Sequence, residues 1–246
     1  MRRHITRALY AAAAAGIAFL TLGFAGAGAP ASAATPSLGP PLYTITQAGY
    51  QCDGRWFRFV STTVTIPQRT VPKADSGYMT IMLQNTQHGA VMAIIEVDPG
   101  GGPGTVRWQS GGQPGGGTFT LSPKVGDQLA LSIYYDRSSH VSFTATDLTQ
   151  GITKTAQSTV GNVVYNTVGL WGAAKPPTSP PADTRMWKVA DTHLTTYTGT
   201  HGTVTGPWQT SQMIATTNGT ATGAVVMSPS GLWNGDRNFG IWLRHQ

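Results

Sequence analysis

Hydrophobic and polar residues alternate with a period of two along much of the chain, most clearly between residues 128 and 146. Every second residue is apolar in 128–136, and the same holds in 140–146. Strict alternation is typical of a β-strand with one buried face. The short polar segment between the two fits a hairpin loop, so we expect these strands to pair. Their predicted core residues are Leu129, Leu131, Ile133, Tyr135, Val141, Phe143 and Ala145.

The remaining sequence also breaks into short alternating segments, and none of it after residue 41 has the period of an amphipathic helix. Many short strands with frequent turns indicate an all-β fold, either a sandwich or a barrel. The glycine- and proline-rich segment 172–183 is interpreted as a long loop within one domain, with an interdomain linker as the alternative. Further strands are predicted at 42–47, 55–66, 78–84, 90–97, 105–109, 117–121, 152–158, 162–171, 186–197, 208–216, 223–227 and 238–244.

The start of the chain has the composition of an export signal. Three arginines within the first seven residues precede an apolar stretch at 8–24, and small residues follow up to Ala33. We therefore predict a signal peptide at 1–33, a flexible lead-in at 34–41 and one domain at 42–246, secreted to the extracellular space. An uncleaved membrane anchor is the alternative for the first segment. No later segment reaches the roughly 18 apolar residues of a spanning helix, so no membrane attachment is expected after cleavage.

The net charge of the chain narrows its possible binding partners. The formal net charge is +6, but removal of Arg2, Arg3 and Arg7 leaves thirteen basic residues against ten acidic ones, a net charge of +3. No run of lysine or arginine remains, which argues against nucleic acid as a partner.

Cys52 is the single cysteine and cannot form an internal disulfide, so packing must supply the stability. We expect an inert thiol there, with a reactive thiol as the alternative.

Motifs for cofactors and metals are missing from the sequence. The glycine-rich run 99–104 lacks the Gly-Lys-Ser/Thr ending of a phosphate-binding loop, and Ser230 does not lie in a Gly-x-Ser-x-Gly elbow. The histidines are scattered rather than paired at metal-ligand spacing. We therefore expect no cofactor and no metal.

Glu96 is the single glutamate of the whole chain, and it lies in an otherwise apolar strand, 90–97. Alternation places it on one strand face with Met92 and Ile94. A carboxylate on an apolar face costs free energy unless it is paired or solvated, and acid–base sites often use such groups. The alternative is a solvated carboxylate at the end of a strand, beside the following loop.

Several short segments follow one another in a characteristic order: Ala48-Gly49-Tyr50, 59–67, Ala93-Ile94-Ile95-Glu96, Val106-Arg107-Trp108, Gly126-Asp127 and 146–151. This order resembles that of the glutamic peptidases, also called eqolisins. The resemblance covers roughly residues 45–200 and depends on the order and spacing of short motifs. It implies a concanavalin A-like fold, an antiparallel β-sandwich of two sheets, and proteolysis at acid pH.

The same resemblance implies a catalytic glutamine and glutamate, and the chain departs from that pair. Glu96 occupies the glutamine position, and the segment 163–171, which matches the glutamate region, contains no glutamate. A rearranged pair is conceivable, with Glu96 as general base and Asn166 as the donor to an oxyanion. It requires the two side chains to face each other across the sheet.

Three functions follow from these patterns. The first is a non-catalytic binding module for an extracellular glycan or an extended polypeptide, since aromatic and hydroxyl-rich grooves suit both ligands. The second is a divergent acid endopeptidase centred on Glu96. The third is an envelope or assembly protein that binds another secreted protein. The sequence indicates no oligomeric state. The aromatic residues proposed for ligand binding, each with a place in the core as the alternative, are Trp108, Tyr134, Trp171 and Trp187.

Overall fold

A computed structural model of the chain describes residues 38–67, 77–85, 89–97, 103–111, 115–174 and 187–243. The predicted signal peptide and the first half of the lead-in, 34–37, lie outside these ranges. No helix occurs in the described ranges, and consequently none there is long and apolar enough to cross a membrane. The strands are β1 (Leu42–Thr44), β2 (Gln47–Thr65), β3 (Gly77–Asn85), β4 (Gly89–Val97), β5 (Thr105–Ser110), β6 (Gly115–Phe119), β7 (Gln128–Tyr135), β8 (His140–Asp147), β9 (Ile152–Thr159), β10 (Tyr165–Ala174), β11 (Trp187–Thr196), β12 (His201–Gly202), β13 (Gln209–Thr216), β14 (Val225–Pro229) and β15 (Phe239–Leu243).

The long strand β2 belongs to both layers of a β-sandwich. Its first part pairs with β10 and β13 in the front layer, which has the order β1-β13-β2-β10-β3-β4-β5-β6. Its second part pairs with β7 and β11 in the back layer, which has the order β9-β8-β7-β2-β11-β15-β14. The all-β, two-layer fold expected from the sequence is therefore confirmed. One pairing differs from the expected antiparallel arrangement, because β1 runs parallel to β13.

Apolar side chains from both layers fill the space between them. The predicted core positions of β7 and β8 are all buried, so the alternation in 128–146 is confirmed. Trp108 of β5 lies 5.3 Å from Phe143 of β8 between ring centroids, and Tyr135 of β7 lies 5.2 Å from Tyr165 of β10. Each fully buried side chain of this size contributes about 1.5–3 kcal/mol through the removal of apolar surface from water. This core orients the strands and fixes which side chains face outward.

The expected inert thiol agrees with the position of Cys52 in β2. Its side chain is completely buried, and burial raises the pKa of the thiol to about 12. The thiolate is the reactive form of cysteine, so a thiol in this environment is a packing residue rather than a nucleophile.

The main difference from the predicted strands lies at the beginning of the domain. The sequence predicts two strands, 42–47 and 55–66, whereas β2 runs without interruption from Gln47 to Thr65. Gly49 and Gly54 interrupt the alternation between the two predicted strands. Gly49 nevertheless lies within β2 and allows close packing against β10. A Cβ atom at that position would overlap the carbonyl oxygen of Leu170 in β10 and lie 2.7 Å from the Cα of Trp171. Glycine therefore permits a close approach of two paired backbones there.

Candidate functional site

The outward side of the front layer, called the open face below, carries the candidate functional residues. Alternation along β4 buries Val91, Ala93, Ile95 and Val97 and leaves the intervening side chains half-buried. The strand register then assigns the same side to residues on the neighbouring strands. The polar and apolar residues of the open face include Gln51, Asp53, Tyr78, Met82, Met92, Ile94, Glu96, Arg107, Gln109, Thr167, Trp171 and Ser211.

Glu96 lies on the open face with Met92 and Ile94, as the sequence predicts. Its side chain is 26% exposed, and its Oε2 atom accepts a hydrogen bond of 2.5 Å from Nη2 of Arg107. Arg107 lies on β5 opposite Ile94, which makes it a diagonal neighbour of Glu96 across the strand pair. The single glutamate is therefore neither free in solvent nor buried without compensation, because a guanidinium neutralises its charge.

Asn166 does not meet Glu96. It lies in β10 at an irregularity of register between Tyr165 and Thr167. Glu96 pairs with Tyr78, and Tyr78 pairs with Ala173, which lies at the far end of β10 from Asn166. At about 3.3 Å per residue along the strand and 4.8 Å between strands, the two positions are roughly 25 Å apart. The structure thus does not bring together the proposed base and oxyanion donor. The Oδ1 atom of Asn166 is buried and has no hydrogen-bond partner among the described residues.

The four aromatic candidates occupy three different environments. Trp171 lies on the open face, where it pairs with Gly49 and Thr80. Trp108 pairs with core residue Ala93 and packs against the core, and Trp187 is buried. Tyr134 lies on the outer surface of the back layer, under the guanidinium of Arg58, whose Cζ is 5.8 Å from the ring centroid. Trp171 alone of the four shares a face with Glu96.

Trp171 forms part of the floor of the open face. The neighbouring Gly169 leaves space that the indole and Met82 fill, because a Cβ at Gly169 would lie 2.9 Å from the indole Nε1 and 2.5 Å from Cε of Met82. The Nε1 atom is buried and has no hydrogen-bond partner among the described residues. The indole is therefore half-buried beside Gly169, and it presents a limited apolar surface to a ligand.

A second carboxylate, Asp53 of β2, is the functional candidate that sequence reasoning missed. Its Oδ2 accepts a hydrogen bond of 2.8 Å from Nε2 of Gln51, and its Oδ1 accepts one of 2.6 Å from Oγ1 of Thr167. Asp53 and Gln51 are half-buried, and Thr167 is buried. The available signal was the alternation of polar Gln51 and Asp53 with apolar Tyr50 and Cys52, which the flanking glycines obscured.

A shallow depression of about 450 Å³ borders the Arg107 end of the open face. It is lined by Ile94, Arg107, Trp108 and Gln109 and by the glycines of β6. A second depression, of about 210 Å³, lies where β2 passes from one layer to the other, beside Trp56, which is 61% exposed. No group of three or more potential metal-ligating side chains occurs in the described part of the chain.

Comparison with known proteins places the fold, and only the fold. No family model matches the sequence. No curated protein matches it. Among solved structures, the chain is similar to scytalidoglutamic peptidase bound to a peptide-based transition-state analogue, with a TM-score of 0.64 and 14% identity over 82% of this chain and 100% of that one. It is also similar to an eqolisin in complex with the tripeptide Ala-Ile-His, with a TM-score of 0.60 and 14% identity over the same shares of the two chains. Aspergilloglutamic peptidase from Aspergillus niger gives a TM-score of 0.53 and 13% identity over 69% of this chain and 99% of that one. The resemblance to glutamic peptidases is thus confirmed at the level of fold.

Proposed function

We propose that this protein is a non-catalytic binding module that acts outside the cytoplasm and holds an extended polypeptide on the open face. The observation that carries the proposal is the state of Glu96. Its carboxylate is neutralised by Arg107, and Asn166 lies roughly 25 Å away along the sheet. A base that activates water needs a free carboxylate and an oxyanion donor at the same reacting atom. The open face can bind a ligand without a general base or an oxyanion donor.

An extended polypeptide suits the open face better than a glycan does. Sugar recognition favours several exposed aromatic rings on one surface, whereas the two aromatic side chains that the structure describes on the open face, Tyr78 and Trp171, are both half-buried. The face instead mixes half-buried apolar side chains, such as Met92 and Ile94, with amides and a hydroxyl. The diagonal from Asp53 to Glu96 is about 25 Å, which about seven extended residues would cover. Two solved proteins of the same fold carry peptide-based ligands, which supports the choice of ligand class.

The first experiment separates binding from catalysis. Residues 34–246 are incubated with denatured casein from pH 2 to pH 7, beside a Glu96→Gln variant, and products are followed by gel and mass spectrometry. We expect no cleavage by either protein at any pH, with both folded by circular dichroism. Acid cleavage by the wild type that disappears in Glu96→Gln would replace the binding proposal with a glutamate-dependent endopeptidase.

The second experiment locates the ligand. A Met92→Lys variant places a charge on the open face, and Ala130→Lys is its matched control, because Ala130 is an equally half-buried position on the outer surface of the back layer. With fluorescently labelled denatured casein as the probe, we expect the Met92 variant to bind about tenfold more weakly, or about 1.4 kcal/mol, and the control to bind as the wild type does. Equal affinities of all three proteins for casein would show that the polypeptide does not bind on the open face. Binding of cello- or chito-oligosaccharides without casein binding would change the ligand class to glycan.

A further inference from the structure

We propose that the carboxylate of Asp53 recognises a basic side chain, an arginine or a lysine, of the polypeptide bound on the open face. This inference deepens the proposed function and rests on it for the identity of the ligand. It assigns a charged subsite to one end of the face. The neutralised Glu96 occupies the other end.

Two neutral donors hold the Asp53 carboxylate in one orientation. Gln51 is two residues away on the same strand and donates to Oδ2, while Thr167 donates to Oδ1 from the paired strand β10. Each carboxylate oxygen accepts one of these bonds and keeps further acceptor capacity. The hydroxyl and the amide therefore orient the charge without neutralising it.

No cationic side chain of the described ranges lies within 4.0 Å of the Asp53 carboxylate. Arg55 is the nearest guanidinium in sequence, and its Nε donates to the carbonyl oxygen of Pro207 instead. The neighbours of Asp53 and its partners on the paired strands are the neutral Gln84, Gln209 and Ser211. A half-buried negative charge thus remains without a counter-ion on a protein whose net charge is positive. A ligand cation is the chemical group that the cluster lacks.

Arginine matches the cluster in geometry as well as in charge. Its planar guanidinium donates two parallel hydrogen bonds to one carboxylate, and a carboxylate fixed in advance loses little freedom when that pair forms. Partial burial strengthens the attraction relative to a pair in open solvent. Because the site remains partly open to water, the preference should weaken as salt is added.

Matched peptides test the charge preference. The probes are labelled seven-residue alanine–serine peptides, blocked at both ends, with a central arginine or with citrulline, its neutral isostere. We expect the wild-type protein to bind the arginine peptide about tenfold more tightly at low salt, a difference of about 1.4 kcal/mol. Asp53→Asn should bind both peptides equally. Asp191→Asn, which removes an exposed carboxylate from β11, should keep the full preference. Binding of both peptides by the wild type with equal affinity would overturn the inference and leave the proposed function intact.

A second readout keeps the inference testable if no peptide binds, which would count against the proposed function itself. Agmatine, a guanidinium compound without a peptide backbone, is titrated while the side-chain amide signals of Gln51 are followed by nuclear magnetic resonance. We expect these signals to shift in the wild type and not in Asp53→Asn, with melting temperatures recorded to show that both proteins are folded. No shift in the wild type, or the same shift in both proteins, would show that Asp53 does not bind the cation.

Discussion

The open face carries a carboxylate near each end, and the two differ in what surrounds them. Glu96 contacts the guanidinium of Arg107, so the charges cancel within the protein. Asp53 contacts a hydroxyl and an amide, so its charge is oriented and remains available. The residue that stands out in the sequence, the single glutamate, is the neutralised one. The comparison shows that the partners of an acidic residue, rather than its rarity, decide whether its charge is cancelled within the protein.

The largest effect should come from breaking the sheet between the two ends. In Gly49→Ala, the new methyl group would overlap the Leu170 carbonyl oxygen, and backbone atoms cannot move aside cheaply. We expect the free energy of unfolding to fall by about 3 kcal/mol or more, because β2 and β10 must separate locally. Chemical denaturation measures this change. Gly231→Ala is the control, since nothing lies within 4 Å of a Cβ there. A Gly49 variant as stable as the control would contradict the close backbone approach that joins the two halves of the face.

A smaller loss should follow when the Asp53 carboxylate loses one donor. Thr167→Val keeps the shape of a buried side chain and removes the hydroxyl that bonds Oδ1. We expect a loss of about 1–2 kcal/mol in the free energy of unfolding, because a half-buried charge loses a hydrogen bond. Thr146→Val is a matched deletion on the back layer, where the hydroxyl contacts Thr153 at an exposed site, and it should cost less than about 0.5 kcal/mol. Equal losses in the two variants would mean that the Asp53 network contributes nothing beyond an ordinary surface contact.

Local alternation explains why the Glu96 end was predictable. The period of two in β4 assigns Glu96, Met92 and Ile94 to one face, and the structure agrees. The same argument placed the core residues of β7 and β8 correctly. Such predictions require only neighbours in sequence, since the side chains of a strand alternate between its two faces.

The Asp53 end could not be predicted in the same way, for two physical reasons. Its hydrogen bond to Thr167 joins residues 114 positions apart, so it exists only once β2 has paired with β10. Gly49 also interrupts the apolar pattern at the position where close backbone contact requires glycine, so this part of the strand has the sequence pattern of a loop. Alternation likewise cannot say whether the outer side of a strand belongs to the front or the back layer, which is why Tyr134 and Trp171 looked equivalent.

Removing the Arg107 guanidinium should leave an unpaired carboxylate at the Glu96 end of the open face, as at the Asp53 end. Arg107→Gln leaves the Glu96 carboxylate with a neutral partner, as Asp53 has. We expect stability to fall by no more than about 1 kcal/mol, since the pair is partly exposed. The larger consequence concerns ligands, because the variant should acquire a preference for peptides with a second arginine about seven residues from the first. Arg55→Gln is the control. If the Arg107 variant binds peptides with one and with two arginines equally, the ion pair with Arg107 is not what prevents Glu96 from binding a ligand arginine.

The smallest effect concerns a third carboxylate, Asp136, which has mainly neutral donors and one histidine, His140, whose Nδ1 lies 3.2 Å from its Oδ2. Asp136, a half-buried residue of the hairpin loop between β7 and β8, accepts hydrogen bonds from the Ser138 hydroxyl and from the backbone N–H groups of Ser138 and His140. The Ser138 hydroxyl, followed by these backbone donors, lowers the pKa of Asp136 to about 2, and the charge of His140 adds least. A lowered folded-state pKa means that Asp136 stabilises the fold above the unfolded pKa near 4 and loses this contribution as the pH falls to about 2.

The Asp136→Ala variant should therefore have a slightly lower melting temperature than the wild type at pH 6, and the two melting temperatures should converge near pH 2. A difference in melting temperature that persists at pH 2 would mean that Asp136 stabilises the loop through its shape and not through its charge. It would also show that neutral donors can orient a carboxylate, as at Asp53, although its charge adds nothing to stability.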